Sequence, residues 1–388
     1  MRLGGAVPGL RCAAAGLVLL AAAVAAAVAA AVAAGEDARP PAGPKAETCA
    51  LPPEDLAWLQ KALDGWVVVN RLLDARPLPL PHMVLFDGDC AYELGAAAPP
   101  GGAAPLGSTL RVFDEPVTIH ARAHGGTIVL PDGKELPPRP IAVAFPPPEG
   151  GRPFYALALP AIWREHVGRD DPLVVERILG VTVHEMLHTR QLPELRRRVD
   201  ELGERWELPP RFDDDVIQRR FAGRPGYAEA FAAEVGLFWR AVAATGDDEA
   251  RSLAGRALEM AERRRERYFT GEEAVYGELE ELFLTMEGLA EWARFHFTRL
   301  QPSEPRGDAE ILGFLRGREN DWSQDEGLAL FLLLDRFAAP EWRRRALGPE
   351  MASPFVLLRE APALRCQPGV GPGEDGSVGT GGGDDPVR

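Results

Sequence analysis

Residues 181 to 191 of this chain, VTVHEMLHTRQ, carry two histidines four positions apart, with a glutamate directly after the first. Because four residues make slightly more than one helical turn, His184 and His188 would project from the same face of a helix and could bind one tetrahedral metal ion together. Glu185 would lie beside that ion and could accept a proton from a water molecule that the metal has made more acidic. The segment therefore predicts a metal site able to hydrolyse a peptide bond.

The competing interpretation is a helix surface that carries two histidines by chance. The chain has only 7 histidines, so this pattern is expected by chance on the order of once per hundred such sequences. We expect a largely buried helix, capped by Asp171 with Pro172 in its first turn, because most of the next residues along the chain are apolar. Burying two histidines there without partners would be costly, which favours the metal site.

The motif resembles that of the HExxH zinc metallopeptidases and, more narrowly, of the gluzincins in the peptidase MA-like superfamily. The resemblance implies zinc as the cofactor, His184 and His188 as its ligands and Glu185 as the catalytic base. Gluzincins take their third ligand from a glutamate on a later helix, in the form EGxA followed by an aromatic residue, and LTMEGLAEWARF has this form. By this resemblance Glu287 is the third ligand, and Glu291 orients a ligand histidine.

Other glutamates remain open as the third ligand. Glu287 interrupts an apolar helical stripe and needs a partner if it is buried, but it follows His188 by 99 residues (287 minus 188), more than compact gluzincins usually have. The alternatives are Glu234, which borders another apolar stripe, Glu229 in the same stretch, and Glu326, where EGLA occurs again. A metzincin site is not expected, because the glycine and third histidine that should come after HEMLH are missing.

The start of the chain indicates export. Arg2 and Arg11 precede an apolar run from Ala13 to Ala34, which ends in small residues suited to signal-peptidase cleavage. We expect residues 1–34 to be a signal peptide, or an uncleaved N-terminal anchor, because 22 residues are just long enough to span a bilayer. The expected location is the periplasm, the cell envelope or the extracellular space.

Cysteine usage permits a disulfide in such an oxidising compartment. The mature chain would keep Cys49, Cys90 and Cys366, an odd number that allows one bridge and one free thiol. We expect the bridge between Cys49 and Cys90. The spacing of the cysteines matches no zinc-finger pattern, so they are not expected to bind zinc.

The chain has a Pro-rich linker at 35–52 and a Gly-rich tail at 366–388, and the tail is expected to be disordered. Between them, the sequence pattern changes near residue 165. Residues 53–165 begin with an amphipathic helix and continue through short β-rich runs, which predicts a small, mainly antiparallel sheet. Residues 166–365 have helical patterns and hold the zinc motif, and Thr270 with Glu273 predicts a capping box before the Glu287 helix. The predicted fold class is α+β.

The net charge of -15 gives nucleic acid no electrostatic reason to bind, so the expected partner is a peptide or protein substrate. We expect an exported zinc metallopeptidase, and the layout is similar to that of exported bacterial proteins with a gluzincin-type site. Two alternatives stay open: a non-catalytic cell-envelope protein with a structural or vestigial metal site, and a zinc hydrolase of another amide or ester. A fourth protein ligand on the metal would favour the structural site.

Overall fold

A computed structural model describes residues 49–73, 80–96, 102–107, 109–147, 151–167, 173–209, 213–301, 306–316 and 322–365. The predicted signal peptide or anchor, most of the linker and the tail with Cys366 lie outside the described residues, as do Asp171 and Pro172. Among the helices that are described, none is both long enough and apolar enough to cross a membrane.

The first part of the fold is one helix followed by a six-stranded sheet. Helix α1 (Pro53–Leu72) starts on a proline and buries one face against the core. The sheet has the order β3-β6-β2-β1-β10-β9, in which only the pairing of β1 with β10 is parallel. The strands are β1 (His82–Phe86), β2 (Cys90–Leu94), β3 (Ala104–Leu106), β4 (Arg111–Val112), β5 (Glu115–Pro116), β6 (Ile119–Ala123), β7 (Ile128–Val129), β8 (Glu135–Leu136), β9 (Ala142–Phe145) and β10 (Phe154–Ala158).

The second part is helical, and the α+β class predicted from the sequence is confirmed. The helices are α2 (Pro160–Val167), α3 (Val174–Arg205), α4 (Val216–Phe221), α5 (Tyr227–Ala243), α6 (Asp247–Tyr268), a 3-10 turn (Gly271–Ala274), α7 (Val275–Arg299), α8 (Asp308–Leu315), α9 (Trp322–Phe337), α10 (Trp342–Leu347), α11 (Pro354–Glu360) and α12 (Pro362–Arg365). Helix α3 packs against edge strand β9 on one side and against α7 on another, so it joins the sheet to the helical part.

Helix α3 carries the HEMLH motif and extends well beyond it. It continues through Pro193 for 32 residues to Arg205. A proline inside a helix removes one backbone hydrogen bond, but buried residues continue on the same face beyond it, including Leu195, Val199 and Leu202. This packing keeps the helix intact past the proline.

The capping box predicted before the Glu287 helix is wrong. The side chain of Thr270 makes no capping hydrogen bond, and α7 starts only at Val275 after the 3-10 turn. Glu273 forms ion pairs with Arg220 and Arg224. A carboxylate binds two guanidinium groups more strongly than one backbone N–H, which explains the difference.

The repeated EGLA sequence marks a close helix crossing. A Cβ atom added to Gly327 of α9 would lie 2.5 Å from the Cα atom of Gly288 of α7, and a Cβ added to Gly288 would be equally close to Gly327. The two helices can approach this closely only because both residues lack a side chain. Each glycine directly follows a buried glutamate, Glu287 or Glu326, so the crossing also determines where these carboxylates lie.

We expect Gly327→Ala to lower the free energy of unfolding by about 1–3 kcal/mol, because the new methyl group would overlap backbone atoms that cannot rotate away. Urea denaturation followed by circular dichroism would measure the loss. Gly255→Ala is the matched control, since a Cβ at that helical position meets nothing within 4 Å and alanine is the better helix former. Equal stability of the two variants would contradict the close crossing.

Candidate metal centre

Two ring nitrogens and a carboxylate meet at the centre of the helical part. The Nε2 atoms of His184 and His188 lie 2.7 Å apart. Glu287 of α7 places Oε2 at 3.3 Å from the first of these nitrogens and Oε1 at 3.4 Å from the second. All three side chains are at most 4 % exposed. The structure therefore brings together the three residues that the resemblance implies as ligands.

The other side of the His188 ring is held by a glutamine whose orientation is fixed. Gln191 Nε2 donates to the backbone carbonyl of Met286 at 3.1 Å and approaches that of Thr285 at 3.5 Å. Its Oε1 therefore faces His188 Nδ1 at 2.9 Å and must accept a hydrogen bond from it. With its proton on Nδ1, neutral His188 presents a lone pair at Nε2.

His184 is oriented by a carboxylate. Its Nδ1 lies 3.0 Å from Glu291 Oε1, at an angle that departs from an ideal hydrogen bond. Arg294 Nη1 donates to the same carboxylate at 3.2 Å, and the pKa of Glu291 falls to about 2 because Arg294 and His184 outweigh its burial. Arg294 itself passes over Gly180 of α3, where a Cβ would lie 2.9 Å from its Nε atom. Glu291 thus stays ionised and favours a proton on His184 Nδ1.

The atoms that converge at this centre favour a positive charge between them. Two lone pairs and a carboxylate repel one another at these distances unless a proton on an imidazole or a bound metal ion lies between them. Burial alone would lower the pKa of His184, but Glu287 and Glu291 raise it to about 10, and the histidines lower the pKa of Glu287 despite its burial. Ligands at ~2.0–2.1 Å around a tetrahedral zinc would stand roughly 3.3 Å apart, close to the two nitrogen-to-oxygen distances, whereas the two ring nitrogens at 2.7 Å would have to separate by roughly 0.6 Å. The residues present fit such an ion.

A further amide fixes the Glu287 carboxylate. Gln324 Nε2, on α9, donates to Glu287 Oε2 at 3.1 Å. Outer contacts of this kind orient metal ligands and keep their lone pairs directed at the ion. Neither Gln191 nor Gln324 was predicted in this role, because a glutamine in a helical sequence gives no signal of the ligand that it will face.

Glu185 points to the sheet side of α3. It is 6 % exposed, and the backbone N–H of Ala144 in β9 donates to its carboxylate. Burial raises its pKa above the ordinary value, with a smaller opposing effect from the two histidines. The hydroxyl of Tyr155 on β10 is fully buried, has no hydrogen-bond partner among the described residues, and interacts electrostatically with Glu185. A carboxylate with a raised pKa beside a cation site is suited to accepting a proton.

The alternative third ligands lie elsewhere. Glu229 is exposed on α5. Glu234 is fully buried and pairs with Arg264, and Arg264 also binds Glu280 at 2.7 Å. Glu326 is buried next to Glu234, close enough to share a proton with it. Among the described residues, none of these alternatives joins the histidines in a group that could hold an ion.

The Glu234 and Glu326 pair makes stability depend on pH. Burial raises the pKa of Glu234 from 4.5 to about 7, although Arg264 opposes the shift, and burial followed by Glu234 raises that of Glu326. Because the pKa is raised in the folded state, protonation of the pair stabilises the fold. This contribution to the free energy of unfolding is complete below about pH 4.5 and is lost as the pH rises through about 7.

We therefore expect Glu326→Gln to raise the free energy of unfolding relative to wild type at pH 8 and to change it little at pH 5. Urea denaturation at both pH values measures the difference. Glu266→Gln, which removes an exposed carboxylate, should give the same small effect at both. A Glu326→Gln effect independent of pH would contradict the buried pair.

We expect Glu291→Gln to weaken zinc binding by about ten- to a hundredfold, because an amide supports the His184 ring less strongly than a carboxylate. Competition with a chromophoric chelator measures the affinity. Glu272→Gln, at an exposed position before α7, serves as the control and should bind zinc as wild type does. An unchanged affinity in Glu291→Gln would show that the contact at 3.0 Å does not orient His184.

Cys49 and Cys90, the pair expected from the sequence, are joined by a disulfide bond with Cα atoms 5.8 Å apart. The bridge ties the residues before α1 to β2, at a distance along the chain from the candidate metal centre. It supports the sheet and does not contribute a ligand.

Comparison of the chain with models of protein families, with curated proteins and with solved structures finds no match. Its function must therefore be argued from the candidate metal centre itself, since a fold class alone supports many unrelated activities. The relevant geometry is that of His184, His188, Glu287 and Glu185.

Proposed function

We propose that this protein is an exported zinc-dependent metallopeptidase. The observation that carries the proposal is the convergence of His184 Nε2, His188 Nε2 and the Glu287 carboxylate, with Glu185 beside them. Two imidazoles and one carboxylate form a donor set that catalytic zinc sites use, in which a fourth position is left for water or substrate. Among the described residues the group contains three ligands, which supports a catalytic rather than a structural site.

His184, His188 and Glu287 would hold a zinc ion, which would act as a Lewis acid toward a scissile carbonyl and would make a water molecule more acidic. Glu185 accepts the proton of the attacking water and returns it to the leaving amine. The Ala144 N–H holds the Glu185 carboxylate in place during both transfers. Gln191, Gln324 and Glu291 keep the three ligands directed at one point.

Edge strand β9 supports a peptide as the substrate. It pairs with β10 on one side, and no described strand pairs with its other side. Ala144, which donates to Glu185, belongs to this strand. An extended peptide could add through main-chain hydrogen bonds to the part of this edge that Glu185 does not occupy, which would bring its backbone next to Glu185.

The test is cleavage of a mixed peptide library by the purified protein, with products identified by mass spectrometry. We expect cleavage that stops after zinc removal with 1,10-phenanthroline and returns when zinc is added. Cleavage that persists in the metal-free protein would overturn the proposal. Hydrolysis of model esters without any cleaved peptide would favour the alternative zinc hydrolase.

One observation favours a second candidate, a non-catalytic metal site. The ligand side chains are at most 4 % exposed and Glu185 is only 6 % exposed, whereas a catalytic site must admit its substrate. Under this alternative, the protein would bind zinc tightly but cleave no peptide at any pH. A substrate-bound structure in which β9 and α3 have moved apart would instead show how a peptide reaches Glu185 and the ligands, and would favour the peptidase.

A further inference from the structure

A cavity beside the candidate metal centre has acidic walls. Its lining includes the polar residues Asp214, Gln218, Glu280 and Glu326 and the aromatic residues Phe231 and Trp322. We refer to it as the acidic cavity. With its open mouth it has an empty volume of about 300 Å³.

The acceptor atoms of the acidic cavity lack donors. Glu326 is fully buried, and apart from the proton that it shares with Glu234 its carboxylate receives no hydrogen bond from the described residues. Asp214 Oδ1 and Gln218 Oε1 receive none from them either. The nearby Arg264 is shared between Glu234 and Glu280. Buried acceptors without donors are costly, which points to a guest that brings positive charge and hydrogens.

The acidic cavity begins within one helical turn of the candidate metal ligand Glu287. Leu284 and Glu280, which line it, precede Glu287 by three and seven residues on the same face of α7. Ser323, at the other wall, is the neighbour of Gln324, whose amide contacts Glu287 at 3.1 Å. A substrate residue close to the metal could therefore extend its side chain into the acidic cavity.

A metal ion does not fit the acidic cavity as well as an organic cation. The described groups whose ligand atoms lie close enough to share one ion are His184 with His188 and Glu287, and Asp213 to Asp215. Neither group contains Glu326, and the second shares only Asp214 with the acidic cavity, while Asp213 and Asp215 pair with Arg219. The lining combines these acceptors with the aromatic side chains of Phe231 and Trp322, which suits an apolar stem with a charged end.

We infer that the acidic cavity binds the ammonium group of a lysine side chain next to the scissile bond of the peptide substrate. This inference rests on the peptidase function proposed above. The ammonium group has three donors for the carboxylates of Glu326 and Asp214, and its four-carbon stem packs against Phe231 and Trp322. The guanidinium of arginine is instead a rigid planar fork that suits bidentate pairing with one carboxylate, whereas the ammonium group is compact and its donors can rotate.

The first experiment measures specificity with the full protein and a library of proteome-derived peptides generated by cleavage after glutamate, which retain internal lysines. We expect lysine at one fixed position beside the cut to be preferred over methionine by at least roughly tenfold. Glu326→Gln should abolish the preference, and Ser323→Leu, which narrows the mouth without changing a buried charge, should reduce it. Glu266→Gln, at an exposed position, should retain it.

The second experiment measures binding and needs no catalysis. Titration calorimetry compares n-butylammonium with n-butanol on wild type, and on the Glu326→Gln and Ser323→Leu variants. We expect n-butylammonium to bind wild type at least roughly tenfold more tightly than n-butanol, and both variants to lose this difference. Because wild type alone gives the main comparison, a variant that does not fold leaves the test intact.

The two experiments separate failure of the inference from failure of the proposed function. Peptides cleaved with no lysine preference, together with equal binding of n-butylammonium and n-butanol, would overturn the inference and leave the peptidase intact. Selective binding of n-butylammonium that depends on Glu326, with no peptide cleaved, would support the acidic cavity as a cation site and refute the peptidase. Preference for arginine over lysine would contradict the assignment of the guest.

Discussion

Replacing Glu185 by glutamine is expected to lower peptide hydrolysis by about 10²–10⁴-fold while the protein keeps its zinc. An amide cannot accept a proton at neutral pH, so the attacking water would lose its base. Glutamine has nearly the same shape as glutamate, and its carbonyl can still accept from the Ala144 N–H. The fold and the three ligands should therefore be unaffected. The measurements are initial rates of peptide cleavage and zinc content of the same samples.

The control for this variant is Asp200→Asn. Asp200 lies on the same helix, is exposed, and forms one surface ion pair with Arg196, which contributes little to stability. It should leave the rate and the zinc content unchanged. Equal rates for wild type and Glu185→Gln, with equal zinc content, would refute the role of Glu185 as base.

Replacing Glu287 by glutamine is expected to reduce zinc affinity by more than about a hundredfold, because it removes the charge of one of the three proposed ligands. The shape of the side chain and the Gln324 contact can be retained. Zinc content after dialysis, measured by mass spectrometry, should fall from about one ion per chain to a small fraction. Circular dichroism shows whether the fold survives.

Matched variants of the other candidate ligands give the comparison. Glu229→Gln, Glu234→Gln and Glu326→Gln should each keep about one zinc, since these side chains lie apart from the histidines. Glu234→Gln also breaks the buried pair with Arg264, so its stability is expected to fall without loss of zinc. Zinc lost selectively from Glu234→Gln, and kept by Glu287→Gln, would contradict the ligand assignment.

Local sequence patterns predicted the parts of the site that lie within one helix. His184 and His188 share a face because they are four residues apart, and Glu291 comes one turn after Glu287 for the same reason. The structure brings these two pairs together, with Glu291 against His184 and Glu287 against both ring nitrogens. The periodicity that places residues on one helix is encoded locally, so it can be recognised without a structure.

The choice among third ligands depended on packing between distant helices. Glu287, Glu234 and Glu326 are all buried glutamates on apolar helices, and helical periodicity alone does not rank them. Arg264 distinguishes Glu234, because it gives that carboxylate a partner other than a metal. The partner comes from a different helix, α6, and nothing in the local sequence around Glu234 indicates it.

The sequence alone also did not predict the local structure where two local preferences compete. Pro193 is a signal for a helix end, yet α3 continues past it because its buried face continues. Thr270 and Glu273 match a capping box, yet Glu273 binds two arginines of another segment. The acidic cavity required the same kind of information, since Asp214, Glu280 and Glu326 come from three separate parts of the chain.

X-ray absorption at the zinc K edge of the purified protein tests the central claim most directly. We expect one zinc per chain with two imidazole nitrogens and one carboxylate, ligands at roughly 2.0–2.2 Å, and a fourth position held by an exchangeable water. The two imidazole contributions should weaken in His184→Ala. A spectrum with four protein ligands and no water would assign a structural site, and the absence of bound zinc after reconstitution would contradict the metallopeptidase altogether.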